Sequence, residues 1–281
     1  MINLDLNNGV SIPALGIGTF MMKAPQAHDA VRDALKDGYR LVDTANAYQN
    51  ERAVGRAISE SGIERKDIFL STKLWPTVYT APEAVDATLE RLGTDYVDLL
   101  FIHQPAGDYI AGYRQLEKAY RDGKTRSIGI SNFHGDKLQH LLKEAEIKPQ
   151  VIQLEAHPYC LEKDIMAELA PFGTRIMAWY PLGHGDHKLI NEPVFSELSL
   201  KYNKTPVQII LRWHVQMGHI VIPGSTNPEH ILSNFEIFDF ELSPADMAEI
   251  AALDTETKYY NPTPAQEESY ASANVDFDPQ N

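Results

Sequence analysis

Short runs of β-branched and aliphatic residues recur about every 25–30 positions along this chain, with helical periodicity between them, and few folds accommodate that rhythm. Candidate strands begin near Leu15, Arg40, Ile68, Val97, Ser127, Val151, Arg175 and His219. Between the third and fourth, Ala81, Ala84, Val85, Thr88, Leu89 and Leu92 share one face of a helix. The same spacing returns in Ala27, Ala30, Val31, Ala34 and Leu35, and in Leu138, Leu141, Leu142 and Ala145. Gly38, Gly62, Gly93, Gly123, Gly173 and Gly218 each follow such a pattern, where a left-handed C-cap favours a residue without Cβ. Helix starts are marked by Thr80-Ala-Pro-Glu83, Thr205-Pro-Val-Gln208 and Ser243-Pro-Ala-Asp246, and by Asn227-Pro228.

Eight strands alternating with helices suit a closed barrel or a doubly wound sheet. The second usually carries G-x-G-x-x-G after its first strand, and Gly16-Ile-Gly18 is only a fragment of that pattern. We therefore expect an α/β fold, a (β/α)8 TIM barrel. Asn8-Gly9 between Ile2-Asn-Leu4-Asp-Leu6 and Val10-Ser-Ile12 predicts an N-terminal β-hairpin plug at its bottom. No composition shift divides the chain, so 1–281 reads as a single domain, with an irregular C-terminal tail over about 258–281.

In such a barrel the chemistry sits where the strands end. Strand two ends in Asp43, followed by Thr44-Ala-Asn-Ala-Tyr48. Strand three ends in Lys73, strand four in His103, strand five in Ser131-Asn132, strand six in Gln153 and Glu155, and strand seven in Trp179. Charged groups closing apolar runs need partners, because a buried unpaired charge is costly. An ammonium beside a phenol favours its ionised form, so a Tyr–Lys pair can pass a proton to or from a carbonyl oxygen. Asp43 would hold Lys73 charged, and His103 would donate a hydrogen bond to the developing alkoxide. Singly, each has a plainer explanation: a loop-capping Asp, a packing Tyr, a satisfied buried imidazole.

Taken together, the spacing is that of a known family. Gly16-Ile-Gly-Thr-Phe20, Leu41-Val-Asp-Thr-Ala-Asn-Ala-Tyr-Gln-Asn-Glu51, Ser71-Thr-Lys-Leu-Trp75, Ile102-His-Gln-Pro105, Ile128-Gly-Ile-Ser-Asn-Phe133 and Gln153-Leu-Glu-Ala-His-Pro158 follow in order. Over nearly its whole length the chain resembles the aldo-keto reductases, most closely their bacterial 2,5-diketo-D-gluconate reductase-like branch. The resemblance implies an NAD(P)H-dependent reductase of small aldehydes, ketones, α-dicarbonyls or keto sugars. Asp43, Tyr48, Lys73 and His103 would be its catalytic tetrad, with Tyr48 the proton donor. It also implies that Ser131, Asn132 and Gln153 hold the nicotinamide carboxamide, with Asp43 beside them. Trp179 would stack on the ring, and Thr19, Phe20 and Leu182 would line the ribose and pyrophosphate. Ser225, His230 and Asn234 would lie at the adenosine end. Phe20, Met21, Trp75 and His103 are the expected substrate wall, with Tyr259 and Tyr260 as further candidates.

One departure from the family pattern concerns the cofactor. NADPH-preferring members carry a lysine after Ile-Pro and an arginine on the 2′-phosphate, whereas this chain has Gly224 and His230. Losing both cations predicts relaxed or NADH-leaning specificity, with a pH-dependent phosphate affinity from the histidine. The short connection Gln104–Tyr109 predicts a small lid and a shallow mouth.

Bulk properties narrow the alternatives. A net charge of −14 opposes phosphate-backbone binding to nucleic acid. No apolar run reaches the ~18 residues of a membrane span, the N-terminus lacks the regions of a signal peptide, and the lone Cys160 has no internal partner. These features and the family default predict a cytoplasmic monomer. A metal-dependent hydrolase using Asp43, His103, Glu155 and His157 stays open on residue types, although no H-x-H pair occurs and no metal is expected. So does a non-catalytic binding module on the same barrel, like the β-subunits of some potassium channels, although such modules usually lose the tetrad present here.

Overall fold

The computed structural model describes residues 2–277, so 278–281 of the expected tail, like Met1, lie outside the described residues. A two-stranded antiparallel hairpin, β1 (Asn3–Asp5) and β2 (Ser11–Pro13), leads into eight parallel strands. These are β3 (Ile17–Gly18), β4 (Leu41–Asp43), β5 (Phe69–Leu74), β6 (Leu99–Ile102), β7 (Ile128–Ser131), β8 (Val151–Glu155), β9 (Arg175–Trp179) and β10 (Ile220–Val221). Each pairs with the next in sequence. A parallel bridge between Leu15 and Val221 joins last to first, with Gly16 N donating to the Val221 carbonyl at 2.8 Å and Val221 N to that of Ala14 at 2.9 Å. The expected barrel is present.

Alternation along the strands decides what faces the axis. Leu41, Phe69, Leu99, Val151, Met177 and Ile220 pack together inside the barrel, while Val42, Leu70, Leu100 and Ile152 face the helices. Counting in twos from the inner layer puts Asp43, Ser71, Lys73, Gln153, Glu155 and Trp179 on the axis, toward the C-terminal mouth. The bottom is closed as expected. Leu6 and Ile12 of the hairpin join the inner layer, and Gly9, at φ 83°, makes the turn between them. Ile12 is fully buried, so Ile12→Ala is expected to cost about 2–5 kcal/mol in chemical denaturation; an unchanged midpoint would show that the plug carries no weight.

Two local expectations need correction. The helix after β5 starts at Ala84, with Glu83 at its N-cap and no side-chain cap bond, so Thr80-Ala-Pro-Glu83 does not start it. The turn Pro76–Val78 is followed by Ala81 N bonding the Val78 carbonyl and Ala84 N that of Ala81, and these turns consume the expected first turn of helix. Thr205, Ser243 and Asn227 do cap helices as read. The second correction is that the tail is not irregular throughout: Pro264–Tyr270 is a helix, opened by a capping box between Thr263 and Gln266. Seven residues give too few turns for a visible apolar stripe, but Thr-Pro-x-Gln is the signature that also starts the helix after Thr205. No helix among the described residues is long and apolar enough to cross a membrane.

Candidate active site

Polar groups of the Asp43–Glu51 segment fix the mouth on the β4 side. Thr44 Oγ1 donates to Asn50 Oδ1 at 2.7 Å, and Asn50 Nδ2 donates to the carbonyls of Thr19 and Met22. Asn46 Oδ1 accepts the backbone N–H of Trp75 at 3.1 Å. Buried Glu51 accepts from Thr72 Oγ1 and Arg91 Nε, both at 2.7 Å. Asn46, Asn50 and Glu51 were given no role from sequence. Glu51 ties the segment after Tyr48 to β5 at Thr72, next to Lys73, Asn46 ties it to Trp75 just past β5, and Asn50 ties it to the Thr19–Met22 loop.

Lys73 is fully buried. Its Nζ donates to Asp43 Oδ2 at 2.6 Å and to the Thr44 carbonyl at 2.7 Å. Ser71 Oγ and Gln153 Nε2 donate to the other carboxylate oxygen at 2.7 and 3.1 Å. The ammonium lies 5.0 Å from the centre of the Tyr48 ring. Tyr48 in turn meets His103 edge-on at 5.5 Å and Phe20 at 5.1 Å. Asp43, Tyr48, Lys73 and His103 thus converge. Lys73 contributes from beneath, since it forms no part of the cavity wall.

The electrostatics differ from the sequence expectation in one respect. Burial raises the Tyr48 phenol well above its ordinary value, and the Asp43 carboxylate pushes the same way, so the lowering expected from Lys73 does not prevail. Lys73 itself is lowered by burial, against the pull of Asp43. His103 is held well below an ordinary imidazole by burial and by Lys73. At neutral pH the phenol keeps its proton and the imidazole is neutral. His103 Nδ1 is sealed from water and has no partner among the described residues. An orphaned acceptor is more tolerable than an orphaned N–H, so the ring proton belongs on Nε2, the nitrogen left for the cavity.

That cavity measures about 840 Å³ and is lined by Phe20, Met21, Tyr48, Trp75, His103, Ser131, Asn132, Gln153 and Trp179 among others. Leu182, Gly224 and Ser225 also line a second, adjoining hollow of about 270 Å³, bounded by His230 and Asn234. Every expected cofactor and substrate position therefore borders one of these hollows except Thr19 and the further candidate Tyr259. Thr19 is fully buried and its hydroxyl donates to the Asp43 carbonyl at 3.1 Å, because the tight β3–β4 contact turns it inward. Asn132, at φ 65°, accepts from Trp179 Nε1 at 3.1 Å, which fixes the indole beside β7. At Gly224 a Cβ would lie 3.0 Å from the Gly18 carbonyl oxygen. A side chain at 224 would fit only with a shift of a few tenths of an ångström against β3.

The mouth is less shallow than expected. Glu155 accepts the backbone N–H groups of Tyr259 and Tyr260 at 2.7 and 2.8 Å, and His157 Nε2 lies 2.9 Å from it. This clamp sends Tyr260 and Tyr270, with Val275, into the cavity wall, while Tyr259 stays outside it. Tyr180, His184 and Gly185 are further wall residues that sequence reading missed. Because Glu155 and His157 hold the tail and Asp43 holds Lys73, the four candidate metal ligands do not gather at one point.

Fold and mouth together define a barrel oxidoreductase for carbonyl groups, with a long cleft suited to a nicotinamide dinucleotide. The Aldo/keto reductase family profile matches residues 14–255, and the chain belongs to that family. Glyoxal reductase of Bacillus subtilis is 42% identical over 260 residues, spanning 91% of this chain and 94% of the relative. Morphine 6-dehydrogenase of Pseudomonas putida is 40% identical, spanning 90% and 91%. The crystal structure of a Bombyx mori aldo-keto reductase in complex with NADP superposes with a TM-score of 0.87 at 30% identity, covering 92% of this chain and 95% of that one. The chain is an NAD(P)H-dependent oxidoreductase of carbonyl groups.

Proposed function

We propose that the chain reduces small aldehydes and α-dicarbonyls to alcohols, with Tyr48 as the acid. The carrying observation is the sealed Lys73–Asp43 pair, with the ammonium 5.0 Å from the centre of the Tyr48 ring in the cavity wall. When bound, the nicotinamide supplies a hydride to the carbonyl carbon. Tyr48 gives its proton to the carbonyl oxygen as charge develops there. Lys73 then stabilises the phenolate left behind, and Asp43 keeps the ammonium oriented. His103, through Nε2–H, donates a hydrogen bond to the same oxygen. Ser131, Asn132 and Gln153 are the polar groups for the carboxamide, and Trp179 is the aromatic face for the ring.

Small substrates are favoured because Trp75 and Tyr270 narrow the cavity beside His103: Trp75 lies 5.1 Å from His103 and 5.3 Å from Tyr270, ring centre to ring centre. The named activity of the Bacillus relative points the same way. The reading takes 1–281 as one domain acting as a cytoplasmic monomer on small molecules, with the net charge of −14 opposing nucleic-acid phosphates.

For the cofactor we infer relaxed or NADH-leaning use, because the residues that would hold a 2′-phosphate at the adenosine end include exposed His230 and no lysine at 224. The test is kcat/KM with NADH and NADPH over a panel of small aldehydes and ketones. Comparable values are expected, and His230→Arg should move the ratio toward NADPH by about tenfold. An unaltered chain preferring NADPH by about a hundredfold would end this part of the reading.

A further inference from the structure

The tail completes the mouth with a chain of hydroxyl groups that the reaction as described does not use. Tyr260 Oη donates to Tyr270 Oη at 3.1 Å, with Gln104 Oε1 a second acceptor 3.5 Å away. The Tyr270 oxygen accepts, and its own proton has no acceptor among the described residues, although the ring lines the cavity. A donor that already accepts a hydrogen bond is strengthened by polarisation. Gln104 Oε1 is also held, by Asn132 Nδ2 at 3.2 Å.

This arrangement is fixed before any ligand arrives. Glu155 clamps the backbone at Tyr260. Lys137 binds Glu267 on the tail helix at 2.6 Å and the Pro105 carbonyl at 2.7 Å. Gly107, at φ 61°, lets that helix approach so closely that a Cβ there would lie 3.1 Å from Ala271 Cβ. Beyond the helix, Gln49 Nε2 donates to the Asp276 carbonyl at 2.7 Å, next to Tyr48 in sequence.

We propose that the Tyr270 hydroxyl, backed by Tyr260, is the donor for a second oxygen carried by the substrate beside its reacting carbonyl. Tyr270 stands against Trp75, and Trp75 against His103. A carbonyl oxygen at Tyr48 and His103 thus leaves its neighbouring substituent directed toward the tail. The subsite selects α-oxygenated aldehydes, in which that substituent is a keto or hydroxyl group, over simple alkanals of the same length. Tyr260 is a positioning residue here: its hydroxyl orients and polarises that of Tyr270.

The inference rests on the carbonyl-reductase reading, and the test separates the two. Steady-state rates are measured with methylglyoxal and with propanal, which share a three-carbon skeleton, for the unaltered chain, Tyr270→Phe and Tyr260→Phe. The quantity read is the ratio of kcat/KM for methylglyoxal to that for propanal, which is independent of the fraction of folded enzyme. Tyr270→Phe is expected to lower this ratio about tenfold, mainly through KM for methylglyoxal. Tyr260→Phe should lower it less, in the same direction. A ratio unchanged in Tyr270→Phe overturns the subsite, whether or not both rates fall. No cofactor oxidation by the unaltered chain with either compound would instead sink the reductase reading itself.

Discussion

Tyr48→Phe is expected to lower kcat for carbonyl reduction by roughly 10²–10⁴, the range that general-acid catalysis contributes, while cofactor binding followed by fluorescence stays as in the unaltered chain. Only the hydroxyl is lost; the ring contacts with Phe20 and His103 remain available to hold the pocket in shape. A variant that kept the original turnover would show that the proton comes from elsewhere. The pH profile gives an independent view. Burial and Asp43 raise the phenol, so the acid is protonated at and below neutral pH and is lost only above the ordinary phenol range. Burial and Lys73 lower His103, so it stays neutral as pH rises through the usual imidazole range. Reduction should therefore show no imidazole-like step there; a marked step would contradict the neutral donor.

The second large effect concerns the buried pair. Lys73→Met removes the cation and leaves the Asp43 carboxylate sealed in the barrel, which is expected to cost about 3–5 kcal/mol in denaturation as well as most turnover. Adding Asp43→Asn removes the orphaned charge, while Ser71 and Gln153 stay within reach of the amide oxygen. The double variant should regain much of the stability and none of the activity. Stability and chemistry are then separable at one site. Recovery of turnover in the double variant, or no recovery of stability, would mean that the pair has been given the wrong role.

Much of the site was legible because it follows from arithmetic on strands. Asp43 is two residues beyond Leu41, Lys73 four beyond Phe69, and Gln153 two beyond Val151, so the period that buries the inner layer also delivers those groups to the mouth. The βα rhythm and the glycine C-caps marked the barrel for the same reason: each is a local rule, and Gly38, Gly93 and Gly173 do adopt positive φ. What was missed depends on contacts distant in sequence. Thr19 turns inward because of its neighbour strand, and the phenol is raised because burial and Asp43 outweigh Lys73. The tail helix is too short to display a stripe, and Tyr260 before it and Tyr270 at its end reach the cavity through a clamp from Glu155, about a hundred residues earlier in the chain. The Thr263 capping box was the one signal that could have located the helix.

The most direct test of the account is a product balance. The purified chain is mixed with NADH or NADPH and a small aldehyde, and the fall in nicotinamide absorbance is compared with the alcohol recovered. One alcohol formed per cofactor oxidised, in the unaltered chain and not in Tyr48→Phe, is the expected result. Cofactor consumed without alcohol, or alcohol formed at the same rate by Tyr48→Phe, would contradict it.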